Sequence, residues 1–402
     1  MEVKRISITD FDYVLPEGRI AKHPLSKRDS SKLLIYNKNE IQVDKFYNIA
    51  HYLPPKSLLI LNNTKVVRAR LRFKKESGAL IEVFLIEPIT PSEYEMSFSS
   101  KSSVVWKCIV GNLKRWKQNE LQMAIPENGG ILTARQIKRL TEGVEVEFSW
   151  NNSSLTFAGI VELCGITPIP PYLNRESDDI DTYRYQTIYA DPEGSVAAPT
   201  AGLHFTPKVF ESLSQINIDT HFITLHVGAG TFKPVASATL ENHEMHTEHF
   251  FVDIETVKKL YQNKEPVVCV GTTTLRAMES IYWLGVKVKE GLLDDSYYVS
   301  QWESYEFKSN TRADEAYKAL YEYMSEKGIS TLTASTQIMI VPGYEIKTCN
   351  ALITNFHQPR STLLLLVAAI VGNDWKRIYQ YALDSGFRFL SYGDSNLLFV
   401  NK

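Results

Sequence analysis

The chain reads as an α/β protein, a barrel-like mixed sheet with helices, interrupted by an inserted small all-β barrel. Three observations predict this. Residues 1–61 end in a buried-strand pattern, Ser57-Leu58-Leu59-Ile60-Leu61. Residues 62–164 are mostly short β-rich runs with turn residues such as Asn151-Asn152-Ser153-Ser154 between some of them. From residue 165 onward, apolar strands alternate with amphipathic helices, as in a sheet covered by helices. The first segment joins the third, so residues 1–61 and 165–402 are expected to form one α/β domain and residues 62–164 the inserted barrel.

The elements follow in order. In the inserted module, strands are predicted at 66–73, 79–86, 104–110, 144–148 and 155–161. In the α/β domain, strands are predicted at 220–227, 266–270, 338–340 and 351–354, and helices at 208–213, 273–284, 313–325, 361–371 and 374–383. The longest apolar run, within 363–371, is too short for a bilayer, which needs about 20 apolar residues. It reads as a buried helix, and no membrane partner is expected.

The 402 residues carry 44 Lys and Arg against 46 Asp and Glu, a net charge of −2. That balance excludes polyanion binding by bulk charge but allows a local basic face. Cys108, Cys164, Cys269 and Cys349 form no CxxC pair, which argues against a zinc ribbon or a thioredoxin-like site and fits a reducing compartment. The Met1-Glu2-Val3-Lys4 start lacks the apolar stretch of a secretory signal. A cytoplasmic location is expected.

Six of the nine histidines lie between 204 and 249, and His357 stands apart. Histidine suits proton transfer near neutral pH, which makes His204, His226 and His357 candidate bases. The segment His243-Glu244-Met245-His246-Thr247-Glu248-His249 invites a metal reading, but it is not HExxH. The Phe250-Phe251-Val252 that follows favours a strand, with His246 and Glu248 on one face and His249 on the other. A polar structural or substrate-binding pair is the preferred reading, without a metal.

Three glycine-containing turns adjoin polar residues: Thr200-Ala201-Gly202-Leu203-His204, His226-Val227-Gly228-Ala229-Gly230-Thr231 and Gly271-Thr272-Thr273-Thr274-Leu275-Arg276. Glycine admits close backbone approach to a ligand, and helix starts present free N–H groups. Neither a Walker A sequence nor GxGxxG is present. Arg276 and Glu279 are either a surface i, i+3 pair or a substrate contact, with Arg276 clamping a carboxylate. Arg68, Arg70 and Arg72 alternate with apolar residues. Lys114 and Arg115 lie beside Trp116 and follow Trp106. Such mixtures suit an RNA backbone and unstacked bases, or else a solvated strand face.

Together these segments resemble the S-adenosylmethionine:tRNA ribosyltransferase-isomerases of queuosine biosynthesis, the QueA family. The resemblance runs nearly end to end. It is carried by residues 11–16, Ile20-Ala21, 28–34, 62–71, Pro168-Ile169-Pro170-Pro171-Tyr172 and Arg184-Tyr185-Gln186-Thr187. It continues through 197–205, 226–235, 245–248, 271–280, Pro342-Gly343-Tyr344, 353–365 and 387–394. It implies a larger α/β domain with a smaller β-barrel domain. It implies transfer and isomerisation of the ribosyl part of S-adenosylmethionine onto the aminomethyl-deazaguanine at the tRNA wobble position. The products are epoxyqueuosine, adenine and methionine. S-adenosylmethionine is then a co-substrate, with no permanently bound cofactor, and a monomer is expected. The implied chemistry needs a base at the carbon beside the sulfonium, for which His204, His226 and His357 are candidates. Arg276 is expected to hold the methionine carboxylate, Asn355 or Thr273 ribose or adenine, and Tyr392 and Asp394 a base. Two departures stand out: Asn62-Asn63-Thr64 where the family usually has Asn-Asp-Thr, and His357-Gln358-Pro359 where it usually has His-Leu-Pro. An amide at 63 keeps hydrogen bonding but loses charge and basicity. The competing readings are a non-catalytic tRNA-binding paralogue and a metal-dependent hydrolase.

Overall fold

A computed structural model describes residues 2–117, 120–127, 129–228, 237, 239–307 and 309–401. The core is a ten-stranded mixed sheet. Its centre is four parallel strands in the spatial order Asp219–His226, Leu58–Asn62, Val267–Val270 and Ala351–Asn355. Ser395–Phe399 and Lys32–Asn37 extend it on one side, and Glu248–Asp253 and Thr331–Thr336 on the other. All five residues of Leu58–Asn62 are buried, as are all five of Ala351–Asn355. Continuous apolar runs are what a sheet covered on both faces requires. Leu58 and Ile60 pack into the core that includes Leu275, Met278 and Ile281 of the helix Thr272–Lys289. Leu59 and Leu61 point the other way, towards Phe46, Val209 and Leu213.

A second sheet of seven strands is antiparallel throughout. Its strand Val144–Trp150 alternates strictly between buried and half-buried residues, and it encloses a separate core around Trp106, Phe148 and Phe157. Among the described residues its edge strands, Gly165–Ile166 and Glu120–Ala124, do not pair with each other. The closed barrel expected from the sequence is therefore a curled half-barrel. The fold is mixed α/β, with one large sheet and one antiparallel curled sheet. No described helix is long and apolar enough to cross a membrane.

Three predicted elements differ. Residues 155–161, expected as a strand, contribute to the helix Phe157–Cys164, whose first turn is capped by the Thr156 hydroxyl accepting from Gly159 N–H. The predicted strand at 66–73 divides into Lys65–Val66, which pairs with Glu193–Ser195, and Arg70–Lys74 in the curled sheet. Residues 338–340 are buried but lie beyond the strand Thr331–Thr336.

Candidate active site

The carboxyl ends of the central parallel strands converge on one cleft, the usual place for a ligand in a parallel sheet. Ala351–Asn355 delivers Thr354 and Asn355 and then turns through His357. The strand Val267–Val270 ends at Gly271, whose φ of +97° is the left-handed region that favours glycine. Gly271 N–H donates to Ile353 C=O at 2.8 Å, tying these two strand ends together. The buried helix Thr272–Lys289 then starts at the cleft. Thr200, Thr273, Asn355, His357, Gln358 and Ser391 line this space of ≈ 790 Å³, its open mouth included.

His357 is held from three sides. Its backbone N–H donates to Tyr379 Oη at 3.1 Å, its carbonyl accepts from the Tyr13 hydroxyl, and its Nε2 lies 2.9 Å from Thr354 Oγ1. When Nε2 carries the proton and donates it to Thr354, Nδ1 is a lone-pair acceptor, and it has no protein partner among the described residues. Burial pushes the His357 pKa down to about 3, because a cation there loses its hydration. Asn355 is 2% exposed; its Nδ2 donates to Leu390 C=O at 3.1 Å, and its Oδ1 is buried with no hydrogen-bond partner among the described residues. A buried carbonyl oxygen left open is a site for a donor such as a hydroxyl or amine.

His204 lies behind Asn355. Its Nε2 is 3.4 Å from Asn355 Nδ2, its Nδ1 is 2.8 Å from Ser31 Oγ, and its ring packs on Phe46. Desolvation lowers its pKa to about 4. His204 and Tyr392 line a second, smaller cleft that shares Ser391 with the first.

The third histidine is elsewhere. His226 Nδ1 is 2.8 Å from Thr64 Oγ1, and the rings of Tyr94 and Phe251 pack on it. Desolvation, then His249, lowers its pKa to about 3. Gly194 leaves room for this ring, since a Cβ there would come within 2.6 Å of it. His226 therefore joins the two sheets and does not line the cleft. Asn63, at the departure from the family pattern, accepts from Thr224 Oγ1 at 2.7 Å. Asn62 clasps Leu225 through its N–H and C=O.

Several expected ligand contacts take protein partners instead. Arg276 and Glu279 do not pair with each other, and neither is at the surface. Arg276 forms a buried ion pair with Glu248 and donates through Nε to Ile338 C=O at 3.1 Å. Glu279 accepts from Tyr344 Oη, Lys347 N–H, and the N–H and hydroxyl of Thr348. Desolvation raises its pKa in spite of these donors. His246 Nε2 is 3.3 Å from Glu248 Oε1, while His249 pairs across the sheet with His226. Asp394 spends both oxygens on Lys32 N–H, Arg388 N–H and the Arg388 guanidinium. Tyr392 donates to Asp181 Oδ1 at 2.6 Å. Gly202 serves packing, because a Cβ would strike Tyr189 Oη. Among the described residues nothing comes within 4 Å of where a Gly228 Cβ would sit; Gly230 and Thr231 lie outside the described residues.

On the basic segments, Arg70 and Arg72 share one face of their strand, where Glu82 and Glu176 pair with both. Arg68 reaches Glu162 Oε1 at 3.0 Å. Lys114 and Arg115 are exposed, and Trp116 beside them is buried. Sequence reasoning missed Thr354 and Ser391, although both stand within three residues of a flagged side chain.

The chain matches the family model described as queuosine biosynthesis protein over residues 8–398. It is 35% identical over 408 residues to a protein of Sulfurihydrogenibium sp. (strain YO3AOP1), covering 98% of this chain and 100% of the relative. It is 36% identical over 400 residues to one of Thermotoga petrophila, covering 98% and 100%. Both are named S-adenosylmethionine:tRNA ribosyltransferase-isomerase. A solved structure of the S-adenosylmethionine tRNA ribosyltransferase from Thermotoga maritima is 28% identical, with a TM-score of 0.46 and coverage of 96% and 99%. On the family-model match and these full-length relatives, the chain belongs to the queuosine biosynthesis protein family.

Proposed function

We propose that the main cleft transfers and isomerises the ribosyl moiety of S-adenosylmethionine onto the aminomethyl-deazaguanine at the tRNA wobble position. Epoxyqueuosine forms, and adenine and methionine leave. S-adenosylmethionine is the co-substrate and no resident cofactor takes part. The enzyme works as a cytoplasmic monomer, with residues 1–61 and 165–402 as the catalytic domain and 62–164 inserted into it. Lys114 and Arg115 offer their charge to the tRNA, and the paired arginines 68, 70 and 72 border the same module.

The observation that carries this reading is a neutral, buried histidine in one cleft with an unpaired carbonyl oxygen. His357 Nδ1 takes a proton from the carbon beside the sulfonium, whose acidity the positive sulfur raises. Burial keeps this histidine in the neutral form that can accept a proton, while weakening it as a base. Adenine is expelled from the resulting ylide, the amine of the tRNA base attacks, and epoxide closure breaks the carbon–sulfur bond to release methionine. Asn355 Oδ1 accepts from a ribose hydroxyl, and Thr273 and Thr200 border the same ligand. His204, with Nδ1 at Ser31, orients Asn355.

Precursor-loaded tRNA mixed with S-adenosylmethionine is expected to yield epoxyqueuosine and free adenine. Absence of product from folded enzyme rejects the reaction. His357→Gln is expected to slow adenine release by about 100-fold or more, the usual contribution of a positioned base. An unchanged rate would move the base elsewhere.

A further inference from the structure

Three arginines from distant parts of the chain meet at the second cleft: Arg28, Arg184 and Arg388, with His204 and Tyr392 beside them. Of these, only Arg388 has a carboxylate partner among the described residues, Asp394 at 3.0 Å. Arg28 donates to Gln186 C=O at 2.9 Å. Arg184 donates to the carbonyls of Leu25 and Ser26, while its Nε is buried with no partner among the described residues. Two guanidiniums held on neutral carbonyls, close enough that Arg184 opposes the charge on Arg28, leave a positive site without a counter-ion. Charge-assisted hydrogen bonds to an oxyanion answer both the repulsion and the open donor.

The surroundings favour a polymer over a small carboxylate. The helix Asp179–Arg184, which presents Arg184, also exposes Tyr183 at 75% and Ile180 at 47%. Tyr183 is one residue from the cleft's Arg184, and an exposed aromatic near cations is a surface that single-stranded nucleic acid uses, with phosphate on arginines and bases against a ring. Ser391 lines both this cleft and the main one that holds His357 and Asn355.

We propose that Arg28, Arg184 and Arg388 form an oxyanion subsite that seats a tRNA phosphodiester next to the nucleotide being modified. This deepens the reading of the main cleft as a tRNA-modifying site and rests on it. The arginines would then act as a register stop: a phosphate fixed here sets how far the target base enters the main cleft.

The test uses full-length enzyme and an anticodon stem–loop RNA carrying the precursor base. For Arg28→Gln, the RNA dissociation constant is expected to rise roughly tenfold at moderate salt. The plot of log affinity against log salt should become shallower by about 0.7, the loss of one single-strand phosphate contact. Arg28→Lys should retain most of the slope, and KM for S-adenosylmethionine should stay within twofold. Arg184→Gln is measured in parallel, with melting temperatures checking that each variant folds. A rise in the S-adenosylmethionine KM with an unchanged salt slope would overturn the proposal, because the cleft would then hold the methionine carboxylate. Unchanged RNA affinity and slope in folded Arg28→Gln and Arg184→Gln would overturn it as well. If wild-type enzyme binds the RNA but releases no adenine, the reaction fails while the salt slopes still report on the subsite.

Discussion

Glu248 and Arg276 show how a residue's sequence neighbours can mislead. Arg276 has Glu279 three places on, and its position in the first turns of a helix at the cleft suggested a carboxylate clamp. In the fold, helix Thr272–Lys289 is buried along nearly its whole length, so Arg276 needs a full counter-charge, which Glu248 supplies from 28 residues away. Breaking one side of a buried pair strands the other charge in a poor solvent. Glu248→Gln is expected to lose about 3–5 kcal/mol of stability, read from the urea midpoint; a loss under 1 kcal/mol would mean that Arg276 finds another partner. Asn63 is the opposite case. Its side-chain oxygen accepts from Thr224, and a carboxylate could accept equally well, so its amide does no acid–base work at the cleft. Asn63→Asp should leave the adenine-release rate within twofold of wild type. The histidines were legible as chemistry, but their ranking was not: His204, His226 and His357 look alike until the strand register places His357 at the cleft, His204 behind Asn355, and His226 between the sheets.

At the scale of elements, legibility depended on whether local pattern or tertiary pairing decides. The helices at 273–284 and 313–325 are readable because their apolar residues recur at helical spacing over ten or more positions, and the one at 361–371 because its unbroken apolar run is too short for a bilayer and fits a buried helix. The run at 155–161 was misread as a strand because Phe157, Ile160 and Val161 are β-prone residues. Their i, i+3, i+4 spacing, with Thr156 as cap, was the stronger signal. The neighbouring strands Lys32–Asn37 and Ser395–Phe399 pair in parallel across more than 350 residues of sequence, a contact that no local pattern announces. One close helix contact is also hidden from periodicity. Helices Thr272–Lys289 and Ala313–Lys327 meet at Gly285, where an added Cβ would sit 2.2 Å from the Ala316 carbonyl oxygen. Backbone cannot yield as a flexible side chain does, so the helices must separate. Gly285→Ala is expected to destabilise by about 1–3 kcal/mol, despite alanine's better helix propensity. A higher melting temperature would show that the helices slide apart freely.

For the whole molecule, the near-zero net charge conceals local balances. Glu176, more than 100 residues away in sequence, pairs with Arg70 and Arg72. Buried ionisable groups matter more for how the protein responds to pH. His204, His226 and His357 are each held neutral in the fold, with pKa values lowered by burial to about 4, 3 and 3. In the unfolded chain all three titrate near the ordinary 6.5. Between those limits the unfolded state binds more protons than the folded state, so stability falls as pH falls. The full contribution is present above about pH 7, and the loss continues until the folded pKa values are reached. At pH 5 each histidine has lost roughly 2 kcal/mol, or roughly 6 kcal/mol in all. Glu279 works in the opposite direction, because its raised pKa lets the folded state hold a proton more readily, but it is one group against three. Stability at pH 5 is therefore expected to be well below that at pH 7.5, with a slope approaching three protons in urea titrations across this range. A flat profile from pH 7.5 to 5 would mean that the histidines reach solvent before the protein unfolds, and would remove the neutral buried base on which the proton-transfer step depends.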